Sequence, residues 1–278
     1  MFHMPPLTDR VRQRGVEDVR GALADPAAGA YDEMAPFYDR FTAHHDYDAW
    51  TATLEELARA HGLNGRRLLD VGCGTGKSFL PFARRGYDVV ACDISPRMAA
   101  LAAEKAPDVP IHVCDVRTLT ALGDFDLICC LDDALNHLLE PAELTAALTA
   151  IAANLAAGGV VLFDVNTLAT YRGFFASTAV EECDDLVTIW EGRSSPDAAP
   201  GALAEAVFTA FRCDGECWSR TRLTHVQRHH PEHEIRDAIA AAGLECAAVY
   251  GHGLDGVPHP HPDELADSKA VYVSRHAH

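Results

Sequence analysis

Hydrophobic and polar positions along the chain follow three rhythms in succession. Over residues 48–60, Trp50, Leu54, Leu57 and Ala58 recur at helical spacing, which predicts an amphipathic helix. Runs that are apolar almost throughout follow at 66–71, 87–92, 109–114, 125–131 and 160–165, and each predicts a strand covered on both faces. Helical stretches at 95–105 and 141–157 separate them, with another from the glycines after Val71 to about Arg85. Ser95 is placed to cap the 95–105 helix, with Pro96 in its first turn. Strands alternating with helices predict an α/β fold, a doubly wound and mostly parallel sheet.

Beyond Asn166 the rhythm shifts to partial alternation at 186–190, 204–212 and 217–227, broken by turn signals such as Ser195-Pro196-Asp197 and Asp214-Gly215. This predicts an antiparallel β insertion of about 60 residues after the fifth strand. A helix at 232–242, closed by Gly243, and strands at 245–250 and 269–274 complete a seven-stranded main sheet. The chain divides into a tail at 1–30, a core with an N-terminal helical cover at 31–165, the insertion at 166–230, and the rest of the core at 231–278. The tail has only weak periodicity, with a loosely docked helix around 11–23 as its one candidate element.

Charge narrows the classes of partner. Asp plus Glu number 41 against 23 Lys plus Arg, a formal net charge of −18. Nucleic-acid binding rests on clustered cations, so neither DNA or RNA nor an anionic membrane is the expected partner. No apolar run approaches the roughly 20 residues of a membrane-spanning helix, and residues 1–30 lack the layout of a secretory signal. Nine cysteines, several inside apolar runs (Cys92, Cys114, Cys129, Cys130), read as small buried hydrophobes of a reduced, cytoplasmic chain. Among the histidines, His225, His229 and His233 recur every four residues, but Pro231 interrupts the run and no metal site is expected.

The chemistry concentrates at Asp70-x-Gly72-x-Gly74-x-Gly76, a strand-to-helix turn. Glycines there let backbone approach a ligand and take dihedrals closed to other residues. The amides and dipole of a following helix suit an anionic group. The third glycine follows the second too soon for the dinucleotide pattern, and Lys77 does not close a P-loop frame. Asp93 ends the second strand, where an acid accepts bonds from ribose hydroxyls in doubly wound nucleotide binders; Asp115 ends the third, within reach of an adenine amino group. Three carboxylates at neighbouring strand ends line one crevice in this reading, while helix capping remains the plainer role for any one of them.

The set Leu69-Asp70-Val71-Gly72-Cys73-Gly74-Thr75-Gly76, Asp93, Asp115, Phe125-Asp126-Leu127-Ile128 and Gly158-Gly159 resembles the class I S-adenosylmethionine-dependent methyltransferases over about residues 31–165. The resemblance implies a Rossmann-like methyltransferase fold, with S-adenosyl-L-methionine as cofactor and S-adenosyl-L-homocysteine as product. It implies that Gly72, Cys73 and Gly74 pack against the methionine part, that Asp70 belongs to the cofactor-binding set, that Asp93 binds the ribose, and that Ile94, Met98, Asp115 and Val116 border the adenine, with Leu131 on the floor. A narrower likeness links Tyr31-Asp32, Phe37-Tyr38-Asp39-Arg40-Phe41, Tyr47 and Trp50 to the N-terminal cover of small-molecule methyltransferases from antibiotic pathways, including amino-sugar N-methyltransferases. It implies that Tyr38 and Trp50 reach the cofactor. Leu131-Asp132-Asp133-Ala134-Leu135-Asn136-His137 occupies the loop after strand four, where those enzymes carry a histidine. The stretch Thr224-His225-Val226-Gln227-Arg228 resembles their lid, while the Asp132-Asp133 pair departs from their less acidic loop.

Methyl transfer from a sulfonium is an in-line displacement, so the protein chiefly orients two reactants and excludes water, worth roughly 7–11 kcal/mol. A hydroxyl acceptor also needs a base, a task suited to histidine near neutral pH. His137 is the candidate base, against a plain role as a hydrogen-bonded loop histidine. Tyr38 is the second catalytic candidate, against a role as an aromatic staple. Tyr31, Asp132, Asp133 and His137 form the candidate substrate side, and the acids equally suit a solvated loop. The expected activity is methylation of a nitrogen or oxygen of a small molecule in secondary metabolism, by a chain that could form a homo-oligomer. Methylation of a peptide, protein or RNA, and a non-catalytic cofactor-binding regulator, are the alternatives.

Overall fold

The computed structural model describes residues 25–253 and 256–277. The helix expected around 11–23 lies outside the described residues. Asp25 begins the described chain and caps helix α1 (Pro26–Met34), its carboxylate accepting from the amide of Ala27 at 2.8 Å. A 3-10 turn leads to the short α2 (Tyr38–Phe41), and α3 (Tyr47–Ala60) follows where the 3.6-residue apolar stripe predicts it.

The core then alternates as β1 (Arg67–Val71), α4 (Leu80–Arg84), β2 (Asp88–Asp93), α5 (Pro96–Lys105), β3 (Ile111–Val113), β4 (Phe125–Cys130), α6 (Pro141–Ala152) and β5 (Leu155–Asn166). Ser95 caps α5, its hydroxyl accepting from the amide of Met98 at 3.1 Å. After α7 (Leu168–Arg172) come β6 (Thr178–Cys183), β7 (Leu186–Gly192), β8 (Leu203–Asp214) and β9 (Cys217–Arg228). The chain ends in α8 (Glu232–Ala241), β10 (Leu244–His252), β11 (Pro258–Pro260) and β12 (Lys269–His276).

The main sheet has the order β11-β10-β12-β5-β4-β1-β2-β3, parallel from β5 to β3, with β12 antiparallel to both β5 and β10. The three-residue β11 adds an eighth strand at the edge beyond the seven the periodicity predicts. Apolar side chains cover both faces. Leu69, Ile128, Val161 and Phe163 meet α6 and α8, while Leu68, Leu127, Leu162 and Val271 meet α3 and α4. Burial on both faces is why these strands read as continuous apolar runs. The antiparallel sheet has the order β6-β7-β8-β9 and packs Phe208, Ala206, Trp190 and Leu223 against Met34, Phe37 and Met98 of the cover and core.

Four local expectations change. The periodicity misses β6, whose residues are mostly exposed and so lack a buried face to write the alternation. The helix expected to follow the glycines directly begins only at Leu80, because Gly72, Gly74 and Gly76 hold φ of 73°, 54° and 90°. The predicted 141–157 helix stops at Ala152, where the Asn154 side chain donates to Ala150 O at 3.0 Å and accepts from the amide of Leu122 at 2.6 Å. Gly158 and Gly159 therefore lie inside β5, at its irregular pairing with β4, where a Cβ on Gly159 would stand 2.8 Å from the carbonyl of Phe125. Among the described residues no helix is long and apolar enough to cross a membrane.

Candidate active site

The sheet reverses direction of winding between β1 and β4, the position where open α/β sheets bind ligands beyond the carboxyl ends of their strands. The turn after β1 is tied to the tip of β2: the amides of Gly72 and Cys73 donate to Cys92 O at 2.8 and 3.0 Å. The amide of Gly74 donates to the Asp93 carboxylate at 2.7 Å, and the other Asp93 oxygen accepts from the amide of Ser95 at 2.8 Å. Burial raises the Asp93 pKa to about 6, against the pull of these two amides. The turn amides are thus spent inside the protein, which replaces the expectation that a helix N-terminus presents them to a ligand.

A crevice opens above this turn. It is lined by Gly72, Cys73 and Gly74 together with Asp93, Ile94, Asp115, Val116 and Leu131, and by Tyr31, Tyr38, Asp132 and His137. Three acids of the cover hold it over the core. Asp32 accepts from the Ser95 hydroxyl and from the amide of Arg97 at 3.0 Å; Asp39 accepts from the Thr75 hydroxyl and pairs with Lys105. Asp25 meets Arg117 at 2.6 Å. Arg117 also pairs with Asp115 at 2.6 Å and Glu143 at 2.6 Å, so the mouth of the crevice is a four-member charge network. Sequence reasoning passed over Arg117 although it stands two residues after Asp115.

Four of the expected site residues lie elsewhere. Asp70 is buried beneath the turn and accepts from the Ser78 hydroxyl, with its pKa pushed up to about 7 by burial. Trp50 faces the sheet from α3, its ring 4.4 Å from that of His252. Met98 is buried among Met34, Phe37 and Ala206 under the cover. Asp133 turns from the crevice to Lys269 at 2.7 Å and takes a hydrogen bond from Gln227 at 2.6 Å. Their sequence positions fixed the element; side-chain direction at each position was set by packing across elements.

The Asp132-Asp133 pair has a structural reason that composition alone did not reveal. Both residues sit in the left-handed region, at φ 58° and 55°, which costs about 1–3 kcal/mol each for residues with a Cβ. The fully buried Asp164 on β5 accepts both of their amides, at 2.9 and 2.7 Å, and pairs with Lys269 at 2.9 Å. Burial opposes the charge of Lys269, but Asp133, Asp164 and Asp132 outweigh it and hold its pKa above the ordinary value. The strained turn leaves Asp132 facing the crevice, where the Tyr47 hydroxyl donates to it at 2.7 Å, and burial raises its pKa.

His137 follows this turn. Its Nδ1 lies 3.2 Å from Val226 O, an acceptor only, so Nδ1 carries the proton and Nε2 keeps the lone pair. The Tyr31 hydroxyl donates to that Nε2 at 3.0 Å. Burial lowers the His137 pKa, partly opposed by Asp133, so the ring is neutral at pH 7. His225 completes this aromatic corner at 5.6 Å from the Tyr31 ring, its Nε2 buried without a hydrogen-bond partner among the described residues. His229 pairs instead with Glu264 at 3.0 Å, and the described residues hold no group of three or more His, Cys, Asp or Glu placed for a metal ion.

The crevice fits a sulfonium nucleoside on three counts. Its glycine floor carries no side chains, and a Cβ on Gly74 would project to 3.8 Å from the Tyr38 ring, into the space between turn and cover. Asp93 keeps acceptor capacity beyond its two amide bonds. Tyrosine rings and carboxylates line it, groups that favour a cation.

Residues 68–159 match a family model described as a methyltransferase domain. The chain is 29% identical over 242 residues to YqeM of Bacillus subtilis (strain 168), a protein assigned as a methyltransferase with no named substrate, covering 84% of this chain and 94% of that one. It is 34% identical over 147 residues to a dTDP-3-amino-3,6-dideoxy-alpha-D-glucopyranose N,N-dimethyltransferase of Streptomyces fradiae, covering 51% of this chain and 57% of the relative. A crystal structure of an S-adenosylmethionine-dependent methyltransferase from Clostridium acetobutylicum ATCC 824 superposes with a TM-score of 0.76 at 22% identity, over 89% of this chain and 99% of that one. With the sheet order and the crevice at its switch point, these matches identify the chain as a class I S-adenosylmethionine-dependent methyltransferase.

Proposed function

We propose that the enzyme methylates a nitrogen or oxygen of a small molecule in secondary metabolism, and that it works in the cytoplasm. The observation that carries this reading is the neutral His137, whose Nε2 lone pair faces the Tyr31 hydroxyl on the wall of the same crevice as the glycine turn. Bound there, the cofactor supplies an activated methyl group on a sulfonium. Gly72, Cys73 and Gly74 would border its methionine part, Asp93 would take the ribose hydroxyls, and Ile94, Asp115, Val116 and Leu131 would enclose the adenine. Asp115 does so with Arg117 already bound to it.

On the acceptor side, His137 takes the proton of an incoming hydroxyl, or of an ammonium that must become neutral, directly or through Tyr31. Tyr38 covers the reacting centre, and burial raises the pKa of its hydroxyl, which stays protonated and donates. Asp132 faces the same space and suits an amine. The antiparallel sheet at 166–230 serves as a lid over the core formed by 31–165 and 231–278, contributing Gln227 and the carbonyl that orients His137. A compact acceptor suits this enclosed corner, and the net charge of −18 disfavours RNA. The similarity to the Streptomyces fradiae enzyme supports an amino sugar as one acceptor class to screen.

The test pairs calorimetry with turnover on amines and phenols. Asp93→Ala should weaken S-adenosylmethionine binding at least about tenfold, the scale of a lost charge-assisted pair of hydrogen bonds. His137→Ala should leave that affinity intact and lower turnover about 100-fold or more. Unchanged turnover in His137→Ala removes the histidine from catalysis.

A further inference from the structure

A second cavity lies away from the crevice, between the cover and the tip of the β8–β9 hairpin, with Glu33, Phe37, Arg97, Arg212, Arg220 and Arg222 in its wall. Its arginines are unlike the rest. Every other arginine among the described residues gives its guanidinium to a carboxylate, a carbonyl or an aromatic ring. Among the described residues Arg97, Arg220 and Arg222 have no hydrogen bond, ion pair or ring contact for theirs, and all three line this one cavity. Arg212 meets Asp214 at 3.2 Å, yet its Nε is buried without a hydrogen-bond partner among the described residues.

Three cations without an ion pair, beside Arg212 and with Glu33 as the one acid in the wall, repel one another in a chain whose net charge is −18. Among the described residues no carboxylate forms an ion pair with Arg97, Arg220 or Arg222. Ser219 and Thr221 alternate with Arg220 and Arg222 along β9, the edge strand of its sheet; Thr221 adds a hydroxyl to the same wall, while the Ser219 hydroxyl donates to Arg212 O at 3.3 Å. Guanidinium forks clustered beside hydroxyls match the oxygens of phosphate groups, which they bind in bidentate pairs.

We propose that this cavity binds a small anion carrying a diphosphate group. The acidic remainder of the surface repels a long polyanion, whereas a compact one meets only the local charge. Such an anion contacts the start of α5, the cover and the hairpin at once. The site is separate from the methyl-transfer chemistry and stands without it.

Calorimetric titration of the whole protein with inorganic pyrophosphate at low salt tests this. Binding is expected, and the double substitution Arg220→Gln with Arg222→Gln should weaken it at least about tenfold. Both side chains are exposed, so S-adenosylmethionine affinity should hold and report an intact fold. Arg193→Gln, at an arginine of the same sheet region already paired with Glu205, should change nothing. A parallel titration with a nucleoside diphosphate separates the sources. Equal affinity assigns the site to the diphosphate alone, and tighter binding adds contacts to the nucleoside. Absence of binding by both ligands, or equal affinity in the double variant and the native protein, overturns the proposal.

Discussion

At the scale of single residues, burial decides which groups carry charge. His225 is 6% exposed among Tyr31, Trp190 and Phe208, and burial lowers its pKa to about 3. Its folded value lies below the ordinary value of about 6.5, so between those limits the unfolded chain binds the proton and the folded one does not. Stability is then full above about pH 6.5 and falls as the medium becomes more acid, by about 2 kcal/mol at pH 5 from this one ring. His225→Phe, which keeps an aromatic ring without a titrating nitrogen, should flatten the decline of Tm between pH 7 and pH 5. A decline as steep as that of the native protein would show that His225 takes up its proton without unfolding. Asp93 has the opposite sign. Its raised pKa of about 6 makes its contribution most favourable below about pH 4 and progressively lost as pH rises toward 6.

At the scale of elements, the loop after β4 shows how a neighbouring strand holds a strained turn. Two consecutive left-handed aspartates persist because Asp164 takes both of their amides while Lys269, from β12, balances the buried charge. Asp164→Asn keeps the shape but removes the charge opposite Lys269 and converts one amide acceptor into a donor. Breaking one side of a buried pair typically costs about 3–5 kcal/mol, so chemical denaturation should show a loss of that order. Cofactor affinity should fall as well, since Leu131 and Asp132 border the crevice. A variant with native stability would mean that the turn holds itself. The turn was legible in the sequence only as an acidic pair. Asp164 lies 31 and 32 positions onward and Lys269 lies 105 beyond Asp164, separations at which periodicity carries no signal.

At the scale of the whole molecule, charge and topology act together. The net charge of −18 sets a repulsive field for nucleic acid, and the Arg97, Arg212, Arg220 and Arg222 cavity is a local exception. Chromatography on immobilised heparin should therefore release the protein at low salt, and retention to moderate salt would bring RNA back as the acceptor. The cover is held by ion pairs and short polar contacts from Asp25, Asp32 and Asp39, whereas the core beneath is held by apolar burial on both faces of the sheet. Polar latches open at lower cost than a packed core, and this suits a cover that must admit a cofactor.

Local chemistry alone determined the alternation of strands and helices, the glycine turn and the acids at the ends of β2 and β3. Each of these depends on spacing within a few residues: a buried strand must be apolar throughout, and a tight turn needs glycine where φ is positive. Only the tertiary structure decided which side chains meet. It sent Trp50 and Met98 into the core, drew Asp133 to Lys269, hid Asp70 under the turn, and brought Tyr31 to His137 across 106 positions. Those pairings depend on how packed elements rotate against one another, and the balance of buried area and charge that sets the rotation is a property of the assembled chain.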